Sequence, residues 1–353
     1  MVQGVQGVQR VQGVQGVQVR RVRQVRRVRR VRRVRQVRAL LACACLLVSV
    51  SVAAAEQRYA IILSGASGGP KYAEEMAGWR NDIRSALVDR YGFPADNVKV
   101  FVDETVKTGE PGSAQNVRNG LTALRKQLAA DDLLFIVFLG HGTYDGDVAK
   151  FNLIGPDLSA AEWGTLLSGL PGRLVIVNTT EASFPFLERL SAPNRIVITA
   201  THSAAQKYAT VFPEYFAKAM REASTDLDKN GRTSIFEVFS AVSLAVKQHY
   251  EQKGQLATEH ALIDDNGDGV GRESEAPGPD GALSKTLYLD AESPAIANNP
   301  ELAALVRRRN ELESQAEALK LKKESMPVPQ FEAEYEKLML ELAKVSREIK
   351  AKS

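Results

Sequence analysis

Past Cys45 the chain contains no cysteine, and its only two, Cys43 and Cys45, share one apolar stretch near the N-terminus. Removal of that stretch leaves no disulfide, no thiolate metal site and no thiol nucleophile. Histidine is scarce as well. The four, His141, His202, His249 and His260, have no tight metal-ligand spacing, so no zinc centre is expected. Positive charge is also missing from the part expected to fold. The formal net charge is +4, but residues 1–38 hold twelve arginines and no acid, and residues 39–55 hold no charge. Taking twelve from +4 leaves −8 for residues 56–353. An acidic body gives no basis for nucleic-acid binding.

What is present begins with repetition. Residues 1–38 repeat Val-Gln-Gly and then Val-Arg-Arg, with no apolar periodicity that buries a face. They are read as a low-complexity segment outside the mature protein, either translated repeat ahead of a later start or a basic tail. Residues 39–55 follow as an apolar run ending in Ala53-Ala54-Ala55. Arginines before it and small residues at its end are the pattern of a secretory signal. Cleavage is expected after Ala55, giving a secreted or periplasmic protein with no transmembrane segment. An uncleaved N-terminal anchor is the alternative.

From residue 56 short apolar runs alternate with helical patterns. Strands are expected at Arg58–Leu63, Asn97–Phe101, Asp132–Leu139, Arg173–Val177 and Arg195–Thr199. Helices are expected over Glu74–Tyr91, Gln115–Ala129 and Phe212–Glu222, with a shorter one opened by the capping box Ser159–Glu162. This alternation predicts an α/β fold, a mostly parallel sheet sandwiched by helices, over residues 56–222. Sites in such sheets lie at the carboxyl ends of strands. Residues 223–298 read as acidic loops around one helix, Ser234–Lys253. Residues 299–353 read as a coiled-coil-like helical hairpin broken at Met326-Pro327-Val328-Pro329. Leu305, Leu312 and Leu319 recur at seven. Phe331, Tyr335, Leu338, Leu342, Val345 and Ile349 form the second seam. That hairpin folds back on itself, packs on the body, or pairs two subunits into a homo-oligomer.

The stretch FIVFLGHGTYDG, residues 135–146, places His141 between two glycines at the end of a buried strand. A later strand runs into LVIVNTTEASF, residues 174–184. Together they resemble the caspase–legumain group of cysteine peptidases (C13-type, caspase–hemoglobinase fold) over roughly residues 58–222. In that group a histidine ends one strand, and a cysteine follows the next in a turn of the form Asp-Ala-Cys-X-Ser-Gly. The resemblance implies His141 as the histidine of the dyad. It puts Thr180 in the cysteine's place, or Glu181 with a one-residue slip. Neither is a thiol, and a carboxylate does not perform the acyl chemistry of a thiolate.

Three readings of His141 follow. It is the remaining half of a dyad in an inactive, peptidase-like domain that binds or scaffolds an unidentified protein or peptide. Or it is the base for a hydroxyl nucleophile, Thr180 or Ser183, in an active hydrolase. Or its ring only completes hydrogen bonds at a strand end. Asp145 and Asp147 are the acids nearest in sequence that can orient the ring.

The acidic loops carry a separate signal. DLDKNGRTSIFE has Asp226, Asp228 and Asn230 at loop positions 1, 3 and 5, a glycine at 6, the Arg232 carbonyl at 7 and Glu237 at 12. This is the EF-hand calcium arrangement. DDNGDGVGRESE repeats it with Asp264, Asn266, Asp268 and Glu275, although no helix pattern follows. Calcium as a structural ligand is the expectation for both loops.

Overall fold

The computed structural model describes residues 56–353, except 104–108, 205, 207, 228, 230, 291–298, 353 and the side chain of Glu324. The proposed signal and the repeat before it lie outside the described residues.

Seven strands form the main sheet, and their residues account for it. β1 (Arg58–Ser64), β2 (Val98–Val102), β4 (Leu133–Leu139), β8 (Arg173–Asn178) and β9 (Arg195–Thr199) are runs of branched and aromatic residues. Two short edge strands, β3 (Glu110–Pro111) and β10 (Leu262–Asp264), complete the order β10-β9-β8-β4-β1-β2-β3. All pairings are parallel except that of β10 with β9. Every residue of β4 is buried, as a central strand covered on both faces requires.

Side chains alternate between the two faces with period two. Ala60, Ile62, Phe135, Val137, Val175, Val177, Ile196 and Ile198 face one layer. That layer is α1 (Pro70–Ser85), α5 (Phe212–Arg221) and α6 (Ile235–Gln252). Ile61, Leu63, Leu134, Ile136, Phe138, Leu174 and Ile176 face the other. There lie α2 (Ala114–Arg125), α3 (Ala160–Leu167) and α4 (Phe184–Leu190). Ser159 and Glu162 form the expected capping box at α3. Buried Arg195 closes the carboxyl ends of two helices, donating to the Leu190 carbonyl at 2.6 Å and the Leu167 carbonyl at 3.1 Å.

The helix expected to run to Tyr91 changes its hydrogen-bond spacing first. It is α-helical to Ser85 and then passes through a π turn, Ala86–Arg90. A second, antiparallel sheet of β5 (Gly142–Tyr144), β6 (Ala149–Phe151) and β7 (Leu158–Ser159) follows His141. Residues 223–298 are not a region apart. They supply α6 to the core, β10 to the sheet edge and a short helix, α7 (Ala282–Thr286). The hairpin is α8 (Pro300–Leu321) and α9 (Val328–Lys352). It folds back on itself through Arg308–Glu341 at 2.8 Å. It docks on the body through Lys285–Glu317 at 3.0 Å and the Tyr288 hydroxyl on Glu313 at 3.2 Å. No helix among the described residues is long and apolar enough to cross a membrane.

Candidate functional site

The site is assembled at the carboxyl ends of β1, β4 and β8. β4 ends at Leu139, and its carbonyl accepts from Gly65 N–H at 2.8 Å. Gly140 follows with φ 144°, where a side chain is strained. The chain then turns His141 outward over the β1–α1 loop, residues 65–69. From the other side β8 ends at Asn178, and the turn Thr179–Ser183 leads into α4.

His141 Nδ1 stands 3.3 Å from Glu181 Oε1, with the two side chains 20% and 15% exposed. Tyr72, on α1, meets the imidazole edge-on at 4.7 Å between centroids. The hydrogen bond that His141 donates to Glu181 raises the His141 pKa above its ordinary value, against the opposing effect of burial. The Glu181 charge and the Ser67 backbone add to the rise. Ser67 is itself held by Asp103, whose Oδ2 accepts from Ser67 N–H at 3.0 Å and Oγ–H at 2.8 Å.

The two hydroxyls considered as nucleophiles point elsewhere. Thr180 is fully buried, and its N–H and Oγ–H both donate to Asn178 Oδ1, at 3.0 and 2.9 Å. Ser183 is fully buried against Thr201, Oγ to Oγ1 at 2.9 Å, and accepts from Thr201 N–H at 3.1 Å. Neither hydrogen-bonds His141. The residue that meets the imidazole is the slipped alternative, Glu181, and not Thr180. Nor does Asp145 orient the ring. It closes its own turn by accepting from Asp147 and Val148 N–H, and those bonds lower its pKa.

Sequence reasoning missed Tyr72, Ser67 and Asp103. The only signal for Ser67 was the loop SGASGG after the first strand, and Asp103, just past β2, had none. The remaining histidines have other partners. His202 touches His260 at 4.7 Å, His260 is 3.6 Å from Glu273, and His249 bonds the Tyr215 hydroxyl at 2.8 Å.

A pH measurement checks the pair. A folded-state pKa raised above the unfolded value near ~6.5 stabilises below that value and loses its contribution as pH rises through the raised one. The His141 midpoint, followed by NMR, is expected above that of a free imidazole and to fall in Glu181→Gln. The melting temperature of the unmodified chain over Glu181→Gln is expected to shrink from pH 6 to pH 8. A His141 midpoint unchanged by Glu181→Gln contradicts the pairing.

The acidic loops divide. In the first, Gly231 N–H donates to Asp226 Oδ2 at 2.9 Å, and Lys229 and Gly231 take positive φ. Glu237, in the first turn of α6, accepts from Leu227 N–H at 2.8 Å and completes a capping box with Ser234. Arg232 lays its guanidinium 3.8 Å over the Tyr288 ring. Asp228 and Asn230 lie outside the described residues. The two described carboxylates of this loop, Asp226 and Glu237, are thus each held by backbone N–H groups of the loop or of the helix start.

The second loop does not fit a calcium site. Asp264 accepts from Gly267 and Gly269 N–H, both at 2.8 Å. Asn266 and Asp268 accept from the backbone two residues on, at 2.7 Å each. The Val270 carbonyl, at the seventh position, accepts from Arg272 at 2.9 Å. Glu275 is exposed on Lys247 at 2.8 Å, with no helix carrying it back over the loop. Its carboxylates act as turn locks. Behind them burial, with Asp264 and Asp265 nearby, pushes Asp280 up to about 6. Among the described residues no three His, Cys, Asp or Glu side chains converge as a metal site.

No protein-family model matches the chain. It is 35% identical over 77 residues to metacaspase-7 of Arabidopsis thaliana, and 36% identical over 72 residues to metacaspase-6 of the same plant. These segments cover 21% and 20% of this chain, and the chain spans 19% of the length of each of these relatives. Among solved structures, a secreted C11 cysteine protease from Bacteroides thetaiotaomicron, iotapain, aligns at a TM-score of 0.35 and 10% identity, covering 60% of this chain and 66% of that one. The fold assignment rests on the strand order and register above, not on that likeness.

Proposed function

We propose that this chain is a caspase-like domain, secreted or periplasmic, whose cleft holds a polypeptide without cutting it. One observation carries the reading. Glu181 grips His141 at 3.3 Å, while the hydroxyls on either side of it are buried in other bonds. A carboxylate there pairs with the imidazole and leaves no nucleophile beside it. Both cysteines of the chain lie before residue 56, so no thiol replaces it. The similarity to metacaspases supports the caspase-like assignment.

The surroundings suit a peptide. Tyr72, Tyr144 and Phe184 are each 37–38% exposed and come from the three elements that frame the pair. Aromatic rings of this kind supply contact area at low entropic cost. Among the described residues the strand β5, directly after His141, pairs with β6 alone and is an edge of its sheet. An extended peptide adds to such an edge through main-chain hydrogen bonds. The test is fluorescence polarisation with a library of labelled peptides, followed by mass spectrometry of the bound fraction. Saturable binding of peptides recovered intact is expected, weakened in Tyr72→Ala. Recovery of cleaved peptides contradicts the reading.

The first acidic loop supports calcium as a structural ligand, held by Asp226 and Glu237 with Asp228, Asn230 and the Arg232 carbonyl. Outside the cytoplasm calcium is plentiful, and a ligand that binds only the folded state stabilises it. Millimolar calcium is expected to raise the melting temperature of the unmodified chain and to leave Asp226→Ala unchanged. No shift in the unmodified chain refutes the site.

A further inference from the structure

Among the described residues, one long helix face of the hairpin has no partner. No residue of α9 is fully buried. Its seam, Phe331 to Ile349, is half-buried against α8, so that side is taken. On the outer side Leu340 is 65% exposed and Met339 39%. Leu340 is the midpoint of the helix, with twelve residues on each side.

Charge is distributed about the same point. Before Leu340 come Glu332, Glu334, Glu336 and Lys337, three acids against one base. After it come Lys344, Arg347, Lys350 and Lys352 against Glu341 and Glu348. The halves carry −2 and +2. The helix dipole favours this sense only within the first and last turns. Glu336, Lys344 and Arg347 lie between those turns, beyond the reach of either end. The ion pairs α9 makes with α8 use Glu341 and Lys352. Glu336, Lys344 and Arg347 join none among the described residues.

We propose that the outer face of α9 is a self-association surface, on which a second copy of this chain docks antiparallel about a twofold axis at Leu340. The exposed stripe Ala333, Glu336, Leu340, Ala343, Lys344 and Arg347 has the three-and-four spacing of one helix face. Antiparallel pairing brings Leu340 onto its own copy. Glu336 and Lys344, each four residues from the axis, then face each other twice, as an isologous contact requires. Ala333 and Ala343 let the helices approach. A parallel copy sets like charges side by side, which disfavours it. The stripe runs along about 21 Å of helix. It is independent of what the cleft binds.

Light scattering coupled to gel filtration tests it on the full chain at tens of micromolar. Twice the single-chain mass is expected, falling toward the single-chain mass in molar salt. Leu340→Asp, with an unchanged far-UV spectrum, is expected to weaken the dimer at least tenfold. Glu336→Lys alone is expected to weaken it, and Glu336→Lys with Lys344→Glu to restore it. A single-chain mass for the unmodified protein overturns the proposal. So does a dimer that survives Leu340→Asp, or a double exchange that fails to restore association.

Discussion

Trp163→Ala is expected to lower the unfolding free energy by about 3–5 kcal/mol, the range for a large aromatic cut to alanine in a packed core. Trp163 is 1% exposed and meets Phe138 edge-on at 4.7 Å. Phe138 also packs on Phe151 at 5.0 Å and Phe186 at 6.2 Å. The cluster thus joins the end of β4, the small sheet and α4, the elements that set His141 and Glu181. Trp163 Nε1 is buried and has no hydrogen-bond partner among the described residues. Trp163→Phe therefore loses volume but no hydrogen bond, and about 1–2 kcal/mol is expected. Urea unfolding of the two variants checks the order. Equal losses contradict a role based on packing volume.

Gly65→Ala is the second large effect, and it acts on the site directly. A Cβ at Gly65 would lie 2.3 Å from the Asn152 carbonyl oxygen and 3.0 Å from Phe151. The first is backbone, held in turn by Ala66 N–H at 3.0 Å, so it has little room to yield. The β1–α1 loop must move instead, and Ser67 moves with it. A loss of about 1–3 kcal/mol is expected from the overpacking, together with a fall in the His141 pKa. Gly78 is the control. An added methyl there meets nothing within 4 Å, and it sits inside α1. Gly78→Ala is expected to stabilise by about 0.5–1 kcal/mol. Destabilisation by both substitutions to the same degree removes the argument from loop position.

Much of this was legible in the chain itself, for identifiable reasons. Leu133–Leu139 is too apolar to be anything but a central strand, and the glycines around His141 mark where it ends. The five long strands and their helices were readable because each buries a whole face. The residue opposite His141 was harder. Periodicity stops at Asn178, and the Thr179–Ser183 turn is set by local bonds. Thr180 is folded back onto Asn178, and the next residue, Glu181, meets the imidazole. Tyr72 and Asp103 reach the site through tertiary packing, which no local pattern encodes. β10 was missed for a related reason. Three residues in an acidic loop carry no alternation, and only pairing with β9 makes them a strand. The second acidic loop shows the opposite case. Its spacing matched a calcium loop, but its carboxylates are used by backbone N–H groups and its last glutamate by Lys247.

The central claim is that His141 faces a carboxylate and not a nucleophile. The most direct test is hydrolysis of a fluorogenic peptide library by the unmodified chain, His141→Ala, Thr180→Ala and Ser183→Ala, with and without calcium. All four are expected to match the buffer rate. Turnover by the unmodified chain that disappears in His141→Ala, and in either hydroxyl variant, would contradict it.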